Sequence, residues 1–162
     1  MRTVVAGFGN VLRGDDGFGV EVVRRLERQG LCEGVRIVDV GIAGFQLMHE
    51  LFERCDRLVI VDAMRRGGAP GSIYVSEVTA VEITPDADMH ATVPSQALGW
   101  AKAVGVLPPR VVLIGCEPAV VDELTMALSP AVEAAVEPAL ERIRELVASR
   151  ETGQPDPGAR PA

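Results

Sequence analysis

The chain has 162 residues, of which 48% are hydrophobic, and a formal net charge of −7 at pH 7. This length fits one domain with a substantial buried core. The acidic balance argues against a nucleic-acid partner, because nucleic acids are bound through Lys and Arg that neutralise phosphates. No apolar run approaches the roughly 20 residues that span a bilayer, and the early glycines do not fit a signal peptide. We therefore expect a cytoplasmic protein that binds neither nucleic acid nor membrane.

The three cysteines, Cys32, Cys55 and Cys116, are odd in number and widely spaced. No CxxC pair occurs, so the sequence offers no metal or redox pair of the usual spacing. Reduced thiols are the expected state of such cysteines in a cytoplasmic protein.

The first predicted strand, residues 2–6, leads into the stretch GFGNVLRGDDGFG at residues 7–19. Its glycines permit backbone angles and close approaches that other residues resist. A turn between a buried strand and a helix lies at the carboxyl end of a sheet, where open α/β folds keep their sites. Of the adjacent Asp15 and Asp16, we expect one to cap N–H groups at the start of the helix and the other to face outward for chemistry.

The same stretch matches neither of two phosphate-binding signatures. A dinucleotide fingerprint needs a third glycine where this chain has Leu12. Gly9 and Gly14 have the spacing of a P-loop, but Asp15 and Asp16 stand where a P-loop has Lys and Ser or Thr. Two anions would repel a phosphate, so a nucleotide-binding module is disfavoured.

Strands and helices alternate along the rest of the chain. The further predicted strands are residues 35–40, 58–61, 72–78 near the sheet edge, and 110–115. The predicted helices run from Phe18 to near Gly30, over residues 45–52 and 95–104, and from the N-cap Ser129 to about Ala148. This alternation predicts an α/β three-layer sandwich with a mostly parallel sheet. The Pro- and Gly-rich residues 150–162 are expected to be a disordered tail, which leaves residues 1–149 as a single domain.

Two carboxylates are expected to meet at the carboxyl edge of this sheet. Asp16 follows the first strand and Asp62 ends the third, and a flavodoxin-like order places these strands side by side. His90, in an irregular segment, could reach the same crevice, whereas His49 lies within the second helix and is expected to be an exposed or hydrogen-bonded helical residue and not a ligand. Two carboxylates and an imidazole suit a divalent first-row metal with open positions. Asp62 has an alternative role as the cap of the turn that follows it.

Several stretches resemble the hydrogenase maturation endopeptidases, which process the large subunit of nickel–iron hydrogenases. They are GFGNVLRGDDGFGVEVV at residues 7–23, LVIVDA at residues 58–63, VVLIGCEP at residues 111–118 and LSPAV at residues 128–132, together with His90. The resemblance covers residues 3–147. The family commonly has Glu at the position of Asp16, which is one methylene shorter and keeps the charge.

The resemblance implies a twisted five-stranded sheet of flavodoxin-like or phosphorylase-like type. It implies an aspartyl endopeptidase that removes a short C-terminal peptide from the large-subunit precursor once nickel has been inserted. By position, Asp16, Asp62 and His90 match the family's metal-binding residues, with Asp16 and Asp62 as the catalytic carboxylates. The metal is nickel supplied by the precursor, although other divalent ions can occupy such a site. Two other functions stay open: a metal-dependent hydrolase of a small molecule, and a nickel-checking chaperone without cleavage.

Overall fold

The computed structural model describes residues 1–30, 33–82 and 94–149 of the chain. The strands are β1 (Thr3–Phe8), β2 (Val35–Gly41), β3 (Arg57–Ala63), β4 (Ile73–Glu77) and β5 (Arg110–Cys116). The helices are α1 (Phe18–Gln29), α2 (Phe45–Phe52), α3 (Pro94–Ala103) and α4 (Pro130–Ala148), with a short 3₁₀ helix at Gly14–Gly17 before α1. Every predicted strand and helix is present, with ends shifted by one or two residues. The predicted tail, Cys32 and His90 lie outside the described residues.

The five strands form one sheet in the order β2-β1-β3-β5-β4. The pairs β1–β2, β1–β3 and β3–β5 are parallel, and β4 is antiparallel to β5. The mostly parallel sheet and the adjacency of the first and third strands are confirmed. The order departs from a flavodoxin-like one at the far edge, where β4 lies outside β5. The connection between β3 and β4 contains no helix among residues 64–72, so the chain reverses direction instead of making a parallel crossover.

Helices cover both faces of the sheet. On one face α1 and α4 bury residues such as Leu26 and Leu140 against Val5 and Val59. On the other face α2 and α3 bury residues such as Leu47 and Leu98 against the neighbouring strand positions. Because a parallel strand covered on both sides is buried at successive positions, β1 and β3 are continuous apolar runs. Among the described residues, no helix is long and apolar enough to cross a membrane.

His49 and two of the cysteines have the surroundings that the sequence predicts. His49 is exposed on α2. Cys55 and Cys116 are buried thiols without a disulfide, and burial raises the pKa of both, that of Cys116 to about 11. Both thiols are therefore protonated at neutral pH and act as small apolar core residues.

Two glycines of the opening stretch allow the chain to pack tightly around the end of β1. Gly9 has a φ of +128°, and a Cβ there would lie 1.8 Å from the main-chain oxygen of Asp16. Gly19, in the first turn of α1, lies so close to the strands that a Cβ would be 2.1 Å from the oxygen of Val61 and 2.5 Å from that of Phe8. The start of α1 therefore sits directly on the ends of β1 and β3.

Asp15 is fully buried and joins the opening stretch to the start of the last helix. Its carboxylate accepts hydrogen bonds from the N–H groups of Ala119 and Val120, both at 2.8 Å. It also accepts from the N–H of Ser129 at 2.7 Å and from the Ser129 hydroxyl at 2.8 Å. Burial alone would raise the pKa of Asp15, but these hydrogen bonds from Ser129, Val120 and Ala119 outweigh it and hold the pKa below its usual value.

These contacts correct two predictions. Neither Asp15 nor Asp16 caps the helix that follows it, because neither the 3₁₀ helix nor α1 has a side-chain cap. Ser129 occupies the N-cap position of α4, but its hydroxyl donates to Asp15 and makes no cap hydrogen bond. A buried carboxylate needs several donors, and the main chain between β5 and α4 supplies them.

Replacement of Gly9 by Ala should destabilise the fold more than a positive φ alone requires. The added methyl group collides with main chain, which cannot move as a flexible side chain can. Gly105→Ala is the matched control, since Gly105 has a φ of +78° and no atom within 4 Å of the position that a Cβ would take. We expect Gly105→Ala to cost about 1–2 kcal/mol and Gly9→Ala clearly more, measured by denaturant unfolding. Equal losses would show that the loop relaxes around a side chain.

Asp15→Asn should lower the free energy of unfolding by roughly 3 kcal/mol, because an amide offers one acceptor oxygen to four donors. A lowered pKa stabilises the fold above the ordinary Asp value, and this contribution disappears as the pH falls through the folded-state pKa. The gap between variant and parent should therefore stay constant above about pH 4 and shrink below it. Asp122→Asn, at a side chain 86% exposed, is the control and should be near neutral. A neutral Asp15→Asn would contradict the anchoring role.

Candidate functional site

Two carboxylates lie at the carboxyl edge of the sheet, on neighbouring strands. Asp16 lies in the 3₁₀ helix that follows β1, and Asp62 is the last residue but one of β3. The two strands pair in parallel, with Gly7 beside Val61, so both chain segments leave the sheet at the same point. The negative charge of Asp16 contributes to the raised pKa of Asp62, so the two predicted carboxylates lie within electrostatic reach of each other at this edge.

Asp16 is held by the loop in front of it. Its Oδ2 accepts a hydrogen bond of 2.9 Å from the N–H of Asn10, and its own N–H donates to the oxygen of Arg13 at 3.2 Å. The Asn10 side chain in turn accepts from the N–H of Leu12 at 3.0 Å. The loop therefore fixes one carboxylate oxygen of Asp16, and the other takes no hydrogen bond from a described residue.

Asp62 has the electrostatics of a group that exchanges protons near neutrality. Burial raises its pKa, the negative charge of Asp16 raises it further, and the N–H of Ala63 opposes both, so that the pKa is about 7. The four residues before it in β3 are fully buried, and the strand therefore holds its main chain rigidly. At neutral pH the Asp62 carboxyl is therefore about half protonated.

The alternative role of Asp62 as a cap for the next turn is not supported. Within the described part of the chain, the N–H that acts on its carboxylate is that of the adjacent Ala63. The next N–H, of Met64, donates to the main-chain oxygen of Cys116 at 2.8 Å. Asp62 thus does not cap the turn that follows, and its charge remains available at the sheet edge.

The third predicted member of the site, His90, lies outside the described residues. Among residues 1–30, 33–82 and 94–149, no group of three or more His, Cys, Asp or Glu side chains stands close enough to hold a metal ion. The set of two carboxylates and one imidazole therefore stays a prediction, and the structure contributes the carboxylate pair.

Sequence reasoning did not single out Glu117, which directly follows β5 and is only 6% exposed. Its carboxylate accepts from the N–H of Arg66 at 2.7 Å, from the N–H of Gly67 at 3.3 Å and from the Tyr74 hydroxyl at 2.8 Å. The available signal was an acidic residue at the end of a buried strand, the same signal that drew attention to Asp62.

A cavity of about 300 Å³ opens beside the 3₁₀ helix, between α1 and the start of α4. The charged side chains that line the cavity already form ion pairs, since Arg25 binds Glu21 and Glu133, each at 2.6 Å. Neither Asp16 nor Asp62 lines this cavity. The carboxylate pair on the sheet edge is therefore kept as the candidate functional site, apart from this cavity.

Comparison with known proteins places the chain in a family. A sequence model described as hydrogenase maturation protease matches residues 20–146. The hydrogenase 2 maturation protease of Escherichia coli K12 is 37% identical over 158 residues, covering 94% of this chain and 93% of the relative. The hydrogenase expression/formation protein HupD of Rhodobacter capsulatus is 35% identical over 150 residues, covering 90% of this chain and 71% of the relative.

Solved structures agree with the sequence matches. The hydrogenase maturating endopeptidase HybD from Escherichia coli superposes with a TM-score of 0.76 at 34% identity, covering 94% of both chains. The NiFe hydrogenase maturation protease HycI from Thermococcus kodakarensis superposes with a TM-score of 0.74 at 26% identity, covering 91% of this chain and 93% of the other. Since the family model spans most of the chain and relatives above 30% identity align over nearly all of it, the chain belongs to the hydrogenase maturation protease family and is an endopeptidase of hydrogenase maturation.

Proposed function

We propose that this endopeptidase removes the C-terminal peptide from the nickel-loaded large-subunit precursor of a nickel–iron hydrogenase. Family membership supports the reaction class. The observation that carries the finer proposal is the position of Asp62 near Asp16 at the carboxyl edge of the sheet, where burial and the charge of Asp16 raise the pKa of Asp62 to about 7.

The donor chemistry of the pair fits a divalent cation. Two carboxylates that repel each other are stabilised when a cation binds between them, and their oxygens with one imidazole suit nickel among other first-row ions. In this proposal Asp16, Asp62 and His90 recognise nickel that arrives within the precursor as part of the substrate. The ion supplies Lewis-acid polarisation of the scissile carbonyl.

Asp16 and Asp62 then have separate roles in substrate binding and proton transfer. Asp16 is oriented by the hydrogen bond from the Asn10 N–H, so it serves to bind and align the substrate. In the free protein, burial and the charge of Asp16 raise the pKa of Asp62 to about 7, and a group that titrates near neutrality suits proton transfer. The Asp62 carboxylate takes a proton from the attacking water as the new C–O bond forms. It returns that proton to the leaving nitrogen as the C–N bond breaks, so the protein ends unchanged.

Asp62→Asn should abolish processing while the protein remains folded. Asn preserves size and hydrogen-bonding capacity, but a neutral amide is a poor metal ligand and cannot accept the proton. We expect at least a 100-fold loss in the rate of precursor cleavage, measured by intact mass after incubation with the nickel-loaded precursor. Asp122→Asn provides the same change at an exposed site and should cleave like the parent. Cleavage by Asp62→Asn at the parent rate would exclude the proposed mechanism. Nickel binding without cleavage by the parent would favour the chaperone.

The same variant should be more stable than the metal-free parent at alkaline pH. The pKa of Asp62 lies above its ordinary value of 3.8, so the folded parent binds more protons than the unfolded chain between about pH 4 and 7. Its stability therefore falls as the pH rises through that window. Asn cannot ionise, and we expect Asp62→Asn to gain roughly 2–4 kcal/mol over the parent at pH 8 and little at pH 4. Thermal unfolding at both pH values measures this. Equal stability at pH 8 would show that the Asp62 charge is well solvated.

A further inference from the structure

The connection from β3 to β4 carries two adjacent arginines at the site edge. We call residues 64–71, MRRGGAPG, the basic loop. The loop begins two residues after Asp62 and ends where β4 starts its antiparallel run beside β5. It therefore lies wholly at the carboxyl edge of the sheet, and both Arg65 and Arg66 are exposed there.

Glu117 fixes this loop at several points. Its carboxylate receives the N–H groups of Arg66 and Gly67 and the hydroxyl of Tyr74. Its main chain accepts from the N–H of Gly71 at 2.8 Å and donates to the oxygen of Ser72 at 2.9 Å. The Arg66 N–H, with the other donors, holds the pKa of Glu117 below its usual value despite burial. One residue thus secures the arginine-bearing half of the loop and its exit into β4.

Side-chain packing adds to this anchorage. The Arg66 guanidinium lies over the Tyr74 ring, 5.6 Å from its centre, a cation–π contact. The Met64 side chain covers Gly115, where a Cβ would be 2.4 Å from the Met64 sulfur. The loop contributes no large apolar side chain of its own at residues 65–70, all of which are exposed. The fixed conformation of the loop therefore positions exposed groups and adds little to the hydrophobic core.

Arg65 and Arg66 also give the loop a positive charge that no carboxylate in the described part of the chain neutralises through an ion pair. Exposed arginines elsewhere pair with acids, for example Arg24 with Asp39 at 2.8 Å and Arg36 with Glu50 at 2.9 Å. Neither Arg65 nor Arg66 forms an ion pair with any carboxylate among residues 1–30, 33–82 and 94–149. In a chain of net charge −7, this loop is a local positive surface next to the carboxylate pair.

We propose that Glu117 is a positioning residue that holds Arg65 and Arg66 as the binding point for an acidic segment of the hydrogenase precursor. This inference rests on the proposed function and names the chemistry by which that substrate docks. Guanidinium groups pair bidentately with carboxylates. A loop that is already ordered loses less conformational freedom when it binds than a flexible one.

Steady-state processing kinetics test the arginines. We expect R65Q/R66Q to raise KM about tenfold with kcat within about twofold of the parent, because the arginines bind the substrate and take no part in the proton transfer. Added NaCl should raise KM for the parent and much less for the variant, since salt screens the lost attraction. The control R28Q/R54Q removes two exposed arginines at the opposite end of the helices, where they are 64% and 90% exposed. It should keep the parent KM and salt dependence.

Glu117→Gln tests the positioning role. It keeps both arginines but weakens the acceptor that fixes the loop main chain at Arg66 and Gly67, so KM should rise as in R65Q/R66Q. The triple variant R65Q/R66Q/E117Q should show no further rise, because all three changes act through one loop. A merely structural role for Glu117 would instead add to the arginine effect. An additive triple variant, or a fall in kcat at unchanged KM, would overturn the proposal.

Binding to the uncleaved precursor separates this inference from the proposed function. Biolayer interferometry with immobilised precursor should show tight binding by the parent and by R28Q/R54Q. For R65Q/R66Q and for Glu117→Gln the Kd should be about tenfold higher. Parent-like binding by R65Q/R66Q would overturn the docking role whether or not the parent cleaves. If the parent does not cleave the precursor and the four proteins still show this order of affinity, the proteolytic function is overturned and the docking role stands.

Discussion

The site depends on a buried charge, the carboxylate of Asp15, and on the donors that surround it. An ionised carboxylate without partners would not stay charged in the interior. Here three N–H groups and one hydroxyl from the segment between β5 and α4 satisfy it. That bond set ties the first loop of the chain to the last helix. It also fixes the 3₁₀ helix that carries the next residue, Asp16.

The neighbouring carboxylates therefore have opposite roles that follow from their surroundings. Asp15 is saturated with donors, so its pKa falls and its charge is structural. Asp62 has one opposing N–H, lies largely desolvated and faces the charge of Asp16, so its pKa rises to about 7. The repulsion between the Asp16 and Asp62 carboxylates lowers the stability of the fold when no cation lies near them. Proteins commonly retain that kind of cost at functional sites, where the strain is part of the activity.

A second carboxylate at this edge, that of Glu117, also accepts hydrogen bonds from several main-chain N–H groups. Asp15 orders the segment after β5, and Glu117 orders the loop after β3. Loops have no ladder of their own to satisfy their N–H groups, so an acidic side chain can order them at a chosen place. The edge that carries Asp16 and Asp62 is thereby bordered by two fixed loops, which suits the recognition of a protein substrate.

The sequence by itself determined the order of strands and helices along the chain and the adjacency of β1 and β3, which brings the segments that carry Asp16 and Asp62 to one edge. These follow from local periodicity and from the rule that parallel strands end at one edge. Only the tertiary structure decided that Asp15 is the buried anchor, that Ser129 serves Asp15 and not its own helix, and that Glu117 holds the basic loop. It also decided the antiparallel edge position of β4. Each of these depends on groups that lie far apart in the chain, 104 to 114 residues apart for Asp15, and no local pattern encodes which distant N–H groups will surround a given carboxylate.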